Sequence, residues 1–402
     1  MRASRSLLGT LFVGAAWLLT AALTIPARAQ DATGGLSLVY VEENINRFTE
    51  QDYVYGFIND GQGNLSPTPG SPYLTGGTGA VPGYPYIVDA DHEVLINPEG
   101  TFLFAVDGFS NDVAEFSINS DGSLSSLGTF ASGGVQPVAL AWKDNALPGN
   151  TPVLVVANKN AYFARSGGAT YSDFSVDLTT GAATPLHSFV LFDGAWPSGD
   201  VIFPNLNAFL GVNYQADRAA SYKVLPTGAI VQISSSMPPG ASPQVLGAAV
   251  HPTKRVLYVG LPNQNQIAIY TFDQSGNLTY DTEFANPGSG VGWLVINASG
   301  TRLYSAEPNS GTVTVYNIAA AGKPLQQQHV QLKPVYVSAP VVPTNMAFDP
   351  TGQFLYVVDS NDGSGCGLHV LHVQADGQLT EPAPPLNLGF AYSAIGVATV
   401  MK

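Results

Sequence analysis

The stretch "VLINPEGTFLFAVDGFSNDVAEFSINSDGSLSSL", residues 94–127, holds one complete structural unit in miniature. "VLINPEG" reads as a strand ending in a turn, "FLFAVD" as a second strand and "VAEFSI" as a third. "NSDG" then turns the chain into a fourth strand, "SLSSL". β-Branched and aromatic residues fill the strands, as half-buried strands require. Gly122 occupies the hairpin because such turns need a positive φ, which a β-carbon penalises. The unit recurs. Its hairpin glycine appears seven times, at Gly63, Gly122, Gly181, Gly228, Gly276, Gly322 and Gly377. The spacings are 59, 59, 47, 48, 46 and 55 residues. A period near fifty with fixed turn phase predicts a radial array of small sheets, here an all-β, seven-bladed propeller of four-stranded antiparallel blades.

The chain ends predict how the ring closes. The propeller begins at "LSLVYVEEN", a second strand with no first strand before it, and ends at "AIGVATV" (394–400), a first strand with nothing after it. Pairing the two completes one blade and removes an open edge. The expected organisation is a signal peptide over residues 1–29 and a single propeller domain over 35–402.

Residues 1–29 combine a basic start (Arg2, Arg5), the apolar run "LLGTLFVGAAWLLTAAL" and "ARA" before Gln30. This pattern predicts export, periplasmic or secreted, with cleavage after Ala29 and no membrane association afterwards. Losing Arg2, Arg5 and Arg28 leaves 12 basic residues against 29 acidic ones, so the net charge moves from −14 to −17. Such a surface excludes nucleic acid as a partner. The one cysteine, Cys366, means that the exported chain stands without an internal disulfide. A monomer is expected.

Departures from the repeat mark the places to look for function. Residues 71–91, "SPYLTGGTGAVPGYPYIVDAD", are inserted between blades one and two, and "NKNAYFARSGGATYSDF" swells blade three. The first insertion delivers the densest polar cluster, Asp89, Asp91, His92 and Glu93. A histidine beside carboxylates can act as a general base on water. The same carboxylates can hold a hard cation, or the cluster is a solvated loop. A second set ends the second strand of each blade: Glu43, Asp107, Asn158, Asn213, Leu261, Glu307 and Asp359. In a ring these form a polar collar at one end of the channel, binding a ligand or capping turns. His251, His369, His372 and Cys366 are too scattered for a zinc site. No G-x-S-x-G elbow, P-loop or dinucleotide fingerprint occurs, and no cofactor is expected.

The phrases "NPEGTFLFAVD", "HPTKRVLYVG" and "DPTGQFLYVVD", each followed by a Tyr/Phe-rich strand and a glycine hairpin, resemble the seven-bladed β-propeller lactonases. That group includes 6-phosphogluconolactonase and carboxymuconate-cyclising enzymes. The resemblance implies a lactone hydrolase using His, Arg and Glu side chains at the channel mouth. Several expected positions do not match: Ser198 stands where a histidine is expected, Leu261 near an expected acid, and Glu307-Pro308 in place of Asn-Arg. "YQADRAASYKV" carries over Asp217 and Arg218. His92 lies six residues before Pro98, the register of the family's histidine but in another blade.

The catalytic candidates are therefore His92, Glu93 and Arg218, with Arg218 stabilising developing negative charge. The ligand-binding candidates are Asp89, Asp91, Asp107, Asp217, Glu307 and Asp359. Two functions compete: a hydrolase for a non-phosphorylated sugar or carboxylic-acid lactone, and a non-catalytic propeller binding a glycan, small molecule or protein. Scarce basic residues and export argue against a phosphorylated substrate.

Overall fold

Alternating apolar strands of six to eight residues bury both faces only when sheets stack side by side, and a ring of them leaves no sheet uncovered. The computed structural model realises this ring. It describes residues 36–44, 51–79, 90–161, 168–192, 194–240, 242–320, 324–337, 339–360, 365–389 and 395–402. The signal-peptide reading of residues 1–29, residues 80–89 of the 71–91 insertion (Asp89 among them) and the middle of the blade-three loop lie outside them.

Seven antiparallel sheets follow one another in chain order. Blade two runs Val94–Ile96, Phe102–Asp107, Asp112–Ile118 and Leu124–Ala131, from the channel outward. Blades three to six repeat this order from inner strands Pro137–Leu147, Pro197–Ile202, Ala248–Val250 and Leu294–Ile296, and blade seven starts from Pro343–Phe348. Blade one is composite. Its inner strand is Gly396–Met401, paired antiparallel with Ser37–Glu42, with Tyr40 opposite Ala398. The expected closure by the C-terminal strand is thus present. The inner strands contact one another in a closed circle around the axis.

The outer strands of blades one and seven are broken into short pieces, Leu65–Pro67 with Tyr73–Leu74 and Leu379–Thr380 with Leu386–Asn387. The intervening sequences, "TPGSP" and "EPAPP", explain the breaks, because proline has no N–H to give to a ladder.

The hairpin glycines serve two ends at once. The six within the described residues have φ between +85° and +94°. Each also lies against the blade before it. A β-carbon on Gly122 would approach Leu38 of blade one, on Gly276 Ile233 of blade four, and on Gly63 Phe354 of blade seven. The repeat glycine is therefore a blade-to-blade contact as well as a turn.

Candidate functional site

The inner strands leave a channel of about 430 Å³. Leu95, Val250, Ile296, Met346 and Phe348 are among its walls, and His92 is the ionisable side chain in the lining. At the His92 end, the chain entering blade two is tied across the axis. The Ala90 carbonyl accepts a hydrogen bond from Trp293 Nε1 of blade six at 2.5 Å. The Asp91 amide donates to the Ser198 carbonyl of blade four at 2.8 Å, and the Leu140 amide of blade three donates to the His92 carbonyl at 3.0 Å. His92 takes a left-handed φ of +56° in this crossing. Ala90 and Asp91 are buried, yet the His92 side chain keeps 39% of its exposure. An imidazole thus stands at the end of a mostly apolar channel.

Asp91 Oδ1 lies 3.5 Å from His92 Nδ1. Burial pushes the Asp91 carboxyl upward, opposed by the adjacent imidazole. Asp200 of blade four is buried near it, and burial followed by the Asp91 charge holds its carboxyl well above the ordinary range. In the strand register Asp200 occupies the position taken by Val94, Leu140, Ala248, Leu294, Met346 and Val397 in the other blades. An acid at an apolar repeat position is the sequence signal that pattern reading passed over.

Glu42 carries the same signal. Its equivalents are Val106, Ala157, Val212, Gly260, Ala306 and Val358. It is fully buried beside Asp52, Glu93 and Asp107, and burial together with these like charges raises its carboxyl far above normal. Burial raises Asp52 likewise, with Asp107 adding to it. Glu93 and Asp107 are pushed up to about 8, in both cases first by burial. Asn44 Nδ2 donates to Glu93 Oε2 at 3.2 Å, and the buried Lys159 favours the ionised Glu93. Among the described residues, both Glu42 oxygens, Asp52 Oδ2, Glu93 Oε1 and Asp107 Oδ2 accept no hydrogen bond. Burial and mutual repulsion favour the protonated forms of these carboxyls, while Lys159 favours the ionised form of Glu93. Sequence reasoning singled out Glu93 and Asp107 but missed Glu42, Asp52, Lys159 and Asp200. No group of three or more His, Cys, Asp or Glu among the described residues is placed to hold a metal ion.

The strand-end set is turned into the blades rather than toward open solvent. Apart from the half-buried Glu43, all of its members are buried. Glu307 accepts from Asn286 Nδ2 and Ser305 Oγ through Oε1 and from Thr312 Oγ1 through Oε2, and burial pushes it up to about 7. Asp107 Oδ1 accepts from Thr75 Oγ1 at 2.6 Å, and Asp359 Oδ1 from the Val342 amide at 2.6 Å. Leu261 joins the apolar core. These residues fasten the loop by which the chain enters their own blade. Gly77, Gly134 and Gly288 of those loops sit directly over Asp107, Asn158 and Glu307.

The carried-over pair lies elsewhere. Asp217 Oδ1 accepts from the Gln244 amide at 2.6 Å, anchoring the chain that enters blade five. Arg218 begins the third strand of blade four, is exposed, and donates to Ser235 Oγ at 3.3 Å. Ser198 is buried and donates to the Leu246 carbonyl at 3.1 Å. The structure therefore gathers Asp91, His92, Glu93 and Asp107 near the blade-two entry. It leaves Asp217 and Arg218 in blade four, Glu307 in blade six and Asp359 in blade seven. Asp359 Oδ2 is 3.9 Å from Nε2 of the buried His369, whose Nδ1 is 2.7 Å from Glu381 Oε1.

Comparison with known proteins agrees with this architecture. Residues 226–339 match the model of the family described as lactonase, seven-bladed beta-propeller. No curated protein sequence matches the chain. Among solved structures, the periplasmic gluconolactonase of Pseudomonas aeruginosa superposes with a TM-score of 0.68 at 16% identity, over 91% of this chain and 99% of that one. A Bacteroides fragilis protein described as a candidate 6-phosphogluconolactonase gives 0.67 at 14% identity, over 92% and 99%. A Lactobacillus plantarum protein gives 0.70 at 15%, over 91% and 99%. At these identities the structures speak for the fold. The chain is thus a seven-bladed β-propeller, within which residues 226–339 match the lactonase family.

Proposed function

We propose that the protein is an exported, lactonase-like propeller that opens a non-phosphorylated lactone at the His92 end of its channel. The observation that carries this reading is the half-exposed His92 facing the channel with the buried Asp91 beside it. In the reaction His92 takes a proton from water as its oxygen adds to the ring carbonyl. The ring C–O bond then breaks, and the proton passes to the departing alkoxide, giving the hydroxy acid. Export rests on the N-terminal pattern, and N-terminal sequencing of the native protein tests cleavage after Ala29.

The activity is tested with a panel of lactones at neutral pH. His92→Ala should lower kcat/KM by about 100-fold at unchanged melting temperature. Arg218→Ala should stay within about twofold, because Arg218 lies outside the channel lining. A wild-type rate in His92→Ala would remove the histidine from the mechanism. One observation favours the non-catalytic reading: among the described residues no Lys or Arg lines the channel to face a developing oxyanion. Protein that opens no lactone yet melts higher with a channel ligand would be a binding propeller.

A further inference from the structure

The channel walls point to the class of ligand. Between His92 and the far end, the lining is built from Val, Leu, Ile, Ala, Met and Phe. Its polar side chains besides His92 are Asn297 and Thr399. Among the described residues no Asp, Glu, Lys or Arg contributes to it. A polyhydroxylated sugar ring placed here would find few side-chain partners for its hydroxyls in exchange for the hydrogen bonds to water that it loses. An alkyl or aryl group gains by leaving water along the same walls. The space is large enough for a ring and a tail, lying in the range of small-molecule pockets.

We propose that the channel takes a carboxylic-acid lactone bearing an apolar tail, with the ring at His92 and the tail running along Val250, Ile296 and Phe348. This deepens the lactonase reading and rests on it for the chemistry of the ring, though not for the recognition of the tail. Of the two substrate classes expected from the sequence, it selects the carboxylic-acid lactones over the sugar lactones.

The experiment separates binding from turnover. A series of γ-lactones with tails of increasing length, together with glucono-δ-lactone, is assayed for hydrolysis. The matching γ-lactams, which resist hydrolysis, are titrated by calorimetry. Affinity for the lactams should rise by about fourfold per added methylene until the channel is filled. kcat/KM for the lactones should rise in parallel, leaving glucono-δ-lactone the poorest substrate. Ala347→Phe, which narrows the channel, should abolish the dependence on tail length. Ala398→Leu, a smaller intrusion, should shorten the longest tail accepted, so the result stands even if the first variant fails to fold. Tail-dependent lactam binding with no lactone opened would uphold the tail site and overturn the hydrolase reading. Hydrolysis or binding that ignores tail length, preference for glucono-δ-lactone, or no binding at all would overturn the tail site.

Discussion

The hydroxyl of Tyr40 in blade one donates to the carbonyl of Gly122 in blade two at 2.9 Å. Tyr304 of blade six does the same to Gly377 of blade seven at 2.8 Å. Around the closure, Tyr356 of blade seven accepts from Asn59 at the hairpin of blade one. The second-strand tyrosine and the hairpin glycine are thus one device: the glycine permits close approach, and the tyrosine fastens it. Tyr304→Phe keeps the ring and removes the hydroxyl. It should cost about 1–2 kcal/mol in urea unfolding, because the Gly377 carbonyl loses a buried donor. An unchanged midpoint would show that water replaces the hydroxyl and that the clamp contributes nothing.

The loop glycines over the strand ends make a second, sharper prediction. A β-carbon on Gly288 would lie 2.5 Å from Glu307 Cγ, whereas one on Gly352 would meet nothing within 4 Å. Gly352 has a φ of +72° and so carries only a conformational penalty, about 1–2 kcal/mol for alanine. Gly288→Ala must displace a buried, triply hydrogen-bonded carboxyl and should cost roughly 3 kcal/mol or more. Equal losses in the two variants would mean that the Glu307 wall yields freely.

Blade number, strand order and ring closure were legible because the hairpin glycine keeps one phase while its flanking strands keep their apolar pattern. The site was only partly legible. His92, Glu93 and Asp107 stood out as polar residues in a loop or at a strand end. Glu42 and Asp200 did not, because each sits inside a strand where only alignment of the seven registers reveals an acid replacing Val, Ala or Leu. The burial of the strand-end set was not legible either. It depends on loop glycines reaching back over Asp107, Asn158 and Glu307, a tertiary contact that the local sequence does not announce.

Closure by the C-terminal strand gives a third prediction. Each residue from Ser37 to Glu42 pairs with one in Gly396–Met401. Removing residues 394–402 would leave that strand's edge unpaired and the neighbouring faces of blades two and seven uncovered. The truncated protein should aggregate or lose its single cooperative transition. Melting that matched the full chain would show that the ring does not depend on this strand.

The buried acids at the blade-two entry should make the protein less stable as pH rises. Glu93 and Asp107 have folded pKa values of about 8, raised by burial from ordinary values of 4.5 and 3.8. Glu42 and Asp52 shift in the same direction. A group whose pKa is raised on folding binds its proton more tightly in the folded state. Between the unfolded and folded pKa values the unfolded chain therefore holds fewer protons, and stability falls with pH. Because the four carboxyls face one another they titrate as a coupled set and share this decline rather than each adding a full single-site slope. Glu307, pushed up to about 7, and the buried His369, also raised, act in the same sense. Stability should be highest near pH 4–5 and decline through pH 8, flattening above it. Glu93→Gln keeps the shape and the Asn44 contact while removing the titration. It should flatten the decline between pH 5 and 8 and make the variant more stable than wild type at pH 8.5. A wild-type stability that rises from pH 5 to 8, or a Glu93→Gln profile parallel to wild type, would show that these carboxyls are ionised in the folded protein.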